Sequence, residues 1–364
     1  MTTKVRSTRG FGGGGDSLKG IDDISGSSAI YLQKVGDFVQ KNRIFGAAAA
    51  AAAAARKQFL GFMMMDYKVC SIKFDLQGIR NDDEEVFVDP CIKQDKQGLV
   101  VWNPYLGQTK WIKPRTEFDS LDVYALGYDE NRNHKILRIF FENQTVLGYE
   151  IYDLCSNSWK VFSVTLEWRI CSFERGVSLK GNTYFLALVR NGDEFLVCFD
   201  FKSESFGPLL PLPYGEEHLS LSCVRDEKLA VLHRSLGLCQ VVEIWVTDKI
   251  DPSAVSWSLF LRRIIGFPVE IYAGSFFIDE EKKKVAVIFG LDQPKWTQTC
   301  RHQTAHIIGP DWYTKSVDIG QASIYLGKPD ESGYIRERYC RPLVCSSCYV
   351  PSLVQLETNQ GEKE

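Results

Sequence analysis

A strand–turn–aromatic phrase recurs about every 50 residues along this chain. It reads VVWNPYLGQTKWI at Val100–Ile112 and YEIYDLCSNSWKVF at Tyr149–Phe162. It returns as LVCFDFKSESFGPL at Leu196–Leu209 and, more loosely, as VEIWVTDKIDPSAVSWSLF at Val242–Phe260. Each copy is an alternating apolar run, a polar or Gly/Pro turn, and a large aromatic where the chain lands. Those aromatics are Trp111, Trp159, Phe206 and Trp257, spaced 48, 47 and 51 residues apart. A period near 40–50 residues with several strands per unit is the mark of propeller blades. The chain is therefore expected to be all-β, with a β-propeller-like domain of roughly 50-residue blades.

The repeat has a physical basis. A blade cannot bury both its faces alone and needs a neighbour on each side. The landing aromatic offers a large apolar area for that stacking, so Trp111 and Trp159 are expected in the core. Asn103, Asp153, Asp200 and Asp248 stand at the turns, where short polar side chains bond their own backbone. A second phrase runs between the copies: GVSLKGNTYFLALV at Gly176–Val189, LSCVRDEKLAVLH at Leu221–His233, and FFIDEEKKKVAVIFG at Phe276–Gly290. Each reads as strand, charged or Gly/Asn turn, strand. A β-sandwich with similar hairpins is the competing architecture. The agreement of spacing with residue type favours the repeat.

Composition removes other classes. The 364 residues carry a net charge of −3 with no basic stripe, which argues against nucleic acid as a partner. No apolar run reaches the ~18 residues of a membrane-spanning helix, so no membrane contact is expected. Eleven cysteines are scattered singly, and Met1–Arg9 is followed by glycine instead of an apolar stretch. That pattern suits reduced, buried thiols in the cytoplasm or nucleus.

The chain divides into four parts. Residues 1–46, with Gly12–Gly15 and a Ser/Gly patch, read as a flexible leader that holds one short amphipathic stretch, Ile30–Val39. Residues 47–58 open on the alanine run Ala47–Ala55 and read as a helical spacer. Residues 59–356 are the β domain, and 357–364 are a polar tail.

Taken together, LVVWNPYLGQTKWI, YALGYDENRNHKILRI at Tyr124–Ile139, YEIYDLCSNSWKVF, GVSLKGNTYFLA, LLPLPY and the closing CSSCYVPSLVQL at Cys345–Leu356 resemble plant F-box proteins with a type 1 F-box-associated domain. The resemblance spans about residues 56–356. It implies a kelch-related propeller that binds a target protein. It also implies an F-box that docks a Skp-type adaptor and cullin, so that the chain is the substrate-recognition component of an SCF ubiquitin ligase. Two departures stand out. Residues 1–46 lack the Leu-Pro opening and the helices of an F-box, which argues against adaptor binding and leaves a stand-alone interaction domain as the alternative. The stretch Asp89–Gly98 lacks a hairpin that the family carries, which predicts a blade short of strands and an open or strained ring.

No catalytic, cofactor or metal site emerges, and the chain is not expected to be an enzyme. His302 and His306 have the spacing of a helical zinc pair, but Gln303 stands where a base would and no third ligand follows, so they read as loop histidines. Cys345 and Cys348 have no second CxxC and read as structural thiols. Gly12–Gly15 is followed by Asp16, unlike a phosphate loop. Protein recognition is expected at loops carrying exposed aromatic and Arg residues: Trp168 and Arg169, Trp296, and Trp312 with Tyr313.

Overall fold

The computed structural model describes residues 59–65, 68–74, 87–90, 99–103, 108–113, 115–116, 122–142, 145–164, 166–170, 176–213, 219–224, 227–235, 241–265, 276–279, 285–291, 301–309, 313–321, 324–326, 337–339, 343–346 and 355–356. The leader, the alanine spacer and the polar tail lie outside them.

Every element among the described residues is a strand. β1 (Phe59–Met65), β2 (Lys68–Phe74) and β3 (Phe87–Pro90) are antiparallel neighbours. β4 (Leu99–Asn103) and β5 (Gln108–Ile112) form a hairpin. β6 (Val123–Tyr128), β7 (His134–Glu142), β8 (Thr145–Asp153) and β9 (Ser158–Ser163) form a four-stranded meander. The next sheet begins with two short strands, β10 (Trp168–Ile170) and β11 (Val177–Leu179), both paired with β12 (Asn182–Val189). β13 (Glu194–Asp200) and β14 (Ser205–Leu210) complete it. Two more meanders follow. One is β15 (Leu219–Val224), β16 (Lys228–Arg234), β17 (Val241–Asp251) and β18 (Ala254–Ile264). The other is β19 (Phe276–Asp279), β20 (Val285–Leu291), β21 (His302–Ile308) and β22 (Thr314–Gln321). β23 (Ile324–Leu326) pairs with β24 (Glu337–Tyr339), and β25 (Leu343–Ser346) returns to pair with β1.

The two recurring phrases are the two hairpins of each sheet. The aromatic phrase is β4–β5, β8–β9, β13–β14 and β17–β18, the outer pair. The second phrase is β11–β12, β15–β16 and β19–β20, the inner pair. First strands of successive sheets are neighbours: β6 adjoins β11 and β12, β11 adjoins β15, and β15 adjoins β19. This is the propeller arrangement.

Strands buried on both faces lose the apolar–polar alternation and read as continuous apolar runs. In β12, Phe185 and Ala187 join a cluster with Leu137, Ile139 and Tyr149 of the preceding sheet. Tyr184 and Leu186, pointing the other way, join Leu229 and Val231 of the following sheet. A third cluster links Val242, Ile244 and Leu261 to Phe276 and Ile288. The sheets approach closely at Gly127, where a Cβ would collide with the Gly181 carbonyl and the Phe201 ring. Tyr128 N–H donates to that same carbonyl at 3.0 Å.

The turns follow their sequences with one shift. Asp153 Oδ1 accepts from the backbone N–H of Cys155 and Ser156, and Asp200 Oδ1 from that of Lys202. In the fourth copy Asp251, not Asp248, does this, accepting from Ser253 N–H. β17 extends to Asp251, so the reversal falls three residues later than the phrase suggests. Lys180 (φ 51°) and Gly181 (φ 87°) form the two-residue hairpin turn of β11–β12, whose left-handed positions match the strand twist.

Two expectations about closure meet the structure differently. The β4–β5 sheet is two-stranded among the described residues, and residues 91–98, where the missing hairpin was expected, lie outside them. The ring ends are nevertheless joined, because β25 pairs with β1. Leu356 adds a second seal. Its N–H donates to Gln108 Oε1 at 2.8 Å, and its side chain is buried among Leu99, Val101, Ile112, Tyr124, Ile136 and Tyr152.

Candidate protein-interaction site

The landing aromatics sit on the last strand of each sheet, toward the rim, while the fully buried side chains lie on inner strands. Trp111 is 40% exposed, against 0% for Leu137, Phe185 and Phe199. Trp159, Phe206 and Trp257 are half-buried. The core placement expected for Trp111 and Trp159 is therefore not what the structure has. Their work is to tie neighbouring sheets. Trp159 Nε1 donates to the Lys113 carbonyl, just past β5, at 3.1 Å. Trp257 Nε1 donates to the Pro211 carbonyl, just past β14, at 3.0 Å. Phe206 has no N–H and instead meets Tyr149, Phe199 and Trp168 edge-on, with centroids 5.5, 4.9 and 5.0 Å apart.

Charged groups lock the same boundaries. Arg138, 3% exposed, donates to Asp122 and Glu150, and Arg115 reaches Glu150 at 2.9 Å. Two buried carboxylates can act as an acid–base pair, but here each is held by a guanidinium. Burial first, and the Asp122 charge second, push the Tyr124 hydroxyl well above the ordinary tyrosine range. It stays protonated and donates to Asp122 at 3.4 Å. This is an ion-paired lock. Glu204 forms a second one, taking Lys135 and Lys160, while Tyr149 OH donates to its carbonyl at 2.9 Å. Burial works to raise the Glu204 carboxyl, but the hydrogen bonds from Lys160 and Lys135 outweigh it and hold it below the usual value.

Three of the five predicted recognition residues, Trp168, Arg169 and Tyr313, are among the described residues. In an antiparallel meander the entry to the first strand and the second–third connection share one end of the sheet. The first–second and third–fourth hairpins share the other. Trp168 and Arg169 open β10, and Arg169 is exposed beside the turn at Arg190–Asp193. Trp168 is half-buried on Phe206. Tyr313 closes the β21–β22 hairpin at the opposite end, where its carbonyl accepts from Gly309 N–H at 2.9 Å. Trp296 and Trp312 lie outside the described residues.

The histidines are on a strand, not a loop. His302 and His306 lie four residues apart on β21, a separation of about 13 Å along a strand. That is too far to share one ion. His302 Nδ1 lies 2.7 Å from Asp318 Oδ2, and His306 Nδ1 lies 2.9 Å from Ser316 Oγ. Among the described residues no three His, Cys, Asp or Glu side chains gather as metal ligands. Burial pushes the Cys198 thiol up to about 12, so it is inert, while Cys155 is exposed. Cys345 lies on β25, and Cys348 lies outside the described residues.

The sequence matches the F-box associated beta propeller domain over residues 90–356. The chain belongs to the F-box-associated β-propeller family. An F-box/kelch-repeat protein of Arabidopsis thaliana is 52% identical over 346 residues, covering 84% of this chain and 86% of the relative. An Arabidopsis F-box protein is 42% identical over 395 residues, covering 94% and 97%. The crystal structure of TolB from Acinetobacter baumannii resembles this family member only remotely, with a TM-score of 0.39 at 12% identity over 84% of this chain and 72% of TolB. Among the described residues, no helix is long and apolar enough to cross a membrane.

Sequence reasoning missed one corner of this propeller on β17–β18, where Leu259, Arg262 and Ile264 are exposed beside the half-buried Trp245, whose Nε1 donates to Glu243 Oε2 at 3.4 Å. The signal was present as a broken alternation in the fourth phrase.

Proposed function

We propose that this chain is a protein-recognition subunit of the F-box type, working in the cytoplasm or nucleus. Its propeller grips a target protein, and partner subunits of an SCF ligase carry out ubiquitin transfer. The chain itself makes and breaks no covalent bond in this reading. The observation that carries it is the family match over residues 90–356, joined to relatives named F-box proteins that align along most of their length. The fold suits the role, since a rigid ring of sheets holds loops and edges in fixed positions for a partner.

A second reading has its own support. In it the propeller is a recognition domain that binds its target without delivering it, supported by the family match, which lies on the propeller domain alone. Co-expression of the full chain with a Skp-type adaptor separates the two. Equimolar co-purification that survives gel filtration is expected for the ligase subunit. An adaptor that elutes alone removes ligase coupling and leaves the stand-alone domain.

A further inference from the structure

Four large apolar side chains stand exposed among the described residues: Trp111, Val161, Leu259 and Ile264. All are on the last strands of their sheets, and two of the four are on β18. The register explains why. Leu261 pairs with Ile244 while Leu259 pairs with Trp245, so Phe260 is an extra residue and the strand is bulged there. Before the bulge, Val255 and Trp257 pack toward the β10–β14 sheet. Beyond it, Phe260 and Leu261 pack toward the β19–β22 sheet. Leu259, Arg262 and Ile264 then pair with Trp245, Glu243 and Val241, which alternate along β17 and so share one face. Arg262 Nε meets Glu243 Oε1 on that face at 3.0 Å.

We propose that this face, formed by Val241, Trp245, Leu259, Arg262 and Ile264, receives an extended segment of a partner protein carrying an acidic side chain among apolar ones. The proposal rests on the protein-recognition reading above. Tryptophan and arginine are among the residues enriched in interface hot spots. Arg262 is 67% exposed while its counter-ion Glu243 is 7% exposed, so the charge presented outward is the guanidinium's. An acidic side chain complements it. A second copy does not, because a two-fold contact presents the same patch from both partners, and the carboxylate in this patch, Glu243, is 7% exposed and already engaged by Arg262. β18 is eleven residues long with no described strand beyond it, and its outer edge offers backbone donors and acceptors to an extended chain.

The test uses the full chain and a displayed library of random peptides of about twelve residues, long enough to run along β18. Selected peptides, made in soluble form, are titrated by fluorescence anisotropy. The expected pool is rich in Asp or Glu beside large apolar residues. Leu259→Asp and Arg262→Glu should each weaken binding at least about tenfold. Replacing the peptide's acid with Lys should restore affinity to Arg262→Glu. Val161→Asp, an exposed change on β9, should leave affinity within about twofold, and circular dichroism should show all variants folded. Peptides indifferent to both β18 changes would overturn this site while leaving the recognition reading intact. Selection of no peptide overturns the site, and it leaves the adaptor test of the wider reading independent. A dimer seen by light scattering and abolished by Leu259→Asp would assign the face to a second copy instead.

Discussion

The last strands of two neighbouring sheets, β14 and β18, do opposite things with the same sequence phrase. β14 is closed off: Phe206 meets Tyr149, Phe199 and Trp168, and Glu204 in the preceding turn holds Lys135 and Lys160 of the adjacent sheet. β18 is closed at one end only. Trp257 is tied to Pro211, and past the bulge Leu259 and Ile264 stand in solvent at 46% and 58% exposure. Both strands carry one extra residue in register, so a strand that completes a packed boundary and a strand that displays a surface differ in what the neighbouring sheet sets against them. The repeat specifies the first half of each outer strand; the neighbouring sheet decides whether the second half is covered.

That contrast predicts a gradient of effects. Phe199→Ala removes a fully buried ring from the centre of the β14 cluster and should cost about 3–5 kcal/mol in chemical denaturation; a loss under about 1 kcal/mol would mean that the aromatic cluster does not hold the two sheets together. Glu204→Gln should cost about 1–2 kcal/mol near neutral pH, since Glu204 and Lys135 are only 19% and 10% exposed. Its pH dependence has a definite sign. The folded carboxyl is held low, so its contribution is present above the unfolded-state value near 4.3 and is lost as pH falls through the folded value. Wild type and Glu204→Gln should therefore converge in stability below about pH 4 and separate above it. Equal separation across that range would show that the carboxylate charge is not what links the sheets.

Trp257→Phe removes the donor to Pro211 while keeping the ring, copying what β14 already has at Phe206. The expected loss is about 1 kcal/mol, visible as a lower melting temperature. Leu259→Ser should change stability least, within about 0.5 kcal/mol, because the side chain is nearly half exposed. A large loss there would show that β18 is covered and would bring it into line with β14.

Much of the ring was legible from residue order. The inner and outer hairpins fall where the two phrases placed them, because alternating apolar residues and Asp or Gly turns act locally. Asp153 and Asp200 bond their turns as their side-chain chemistry dictates. The burial of Trp111 was not legible. A large aromatic in a strand reads as core, yet this one stands on the last strand of a two-stranded sheet. The strand state of His302 and His306 was also hidden, since an i, i+4 pair flanked by Gln and Thr suits several backbones. Arg169 and Tyr313 stand at opposite ends of their sheets because loop composition does not show the end of a sheet on which a loop emerges, which depends on strand count.

The sequence by itself determined the class of fold, the blade period and the turns at Asp153 and Asp200, all of which follow from interactions between residues near one another in the chain. Tertiary structure alone decided that β25 returns to β1, that Leu356 seals the short sheet, that Glu204 becomes an inter-sheet lock, and that Leu259, Arg262 and Ile264 share a face with Trp245. Each of those depends on which strand lies beside which, and on one extra residue in a ladder. Neither is written in any local pattern, because a one-residue shift of register turns a side chain from core to solvent while leaving the order of residues unchanged.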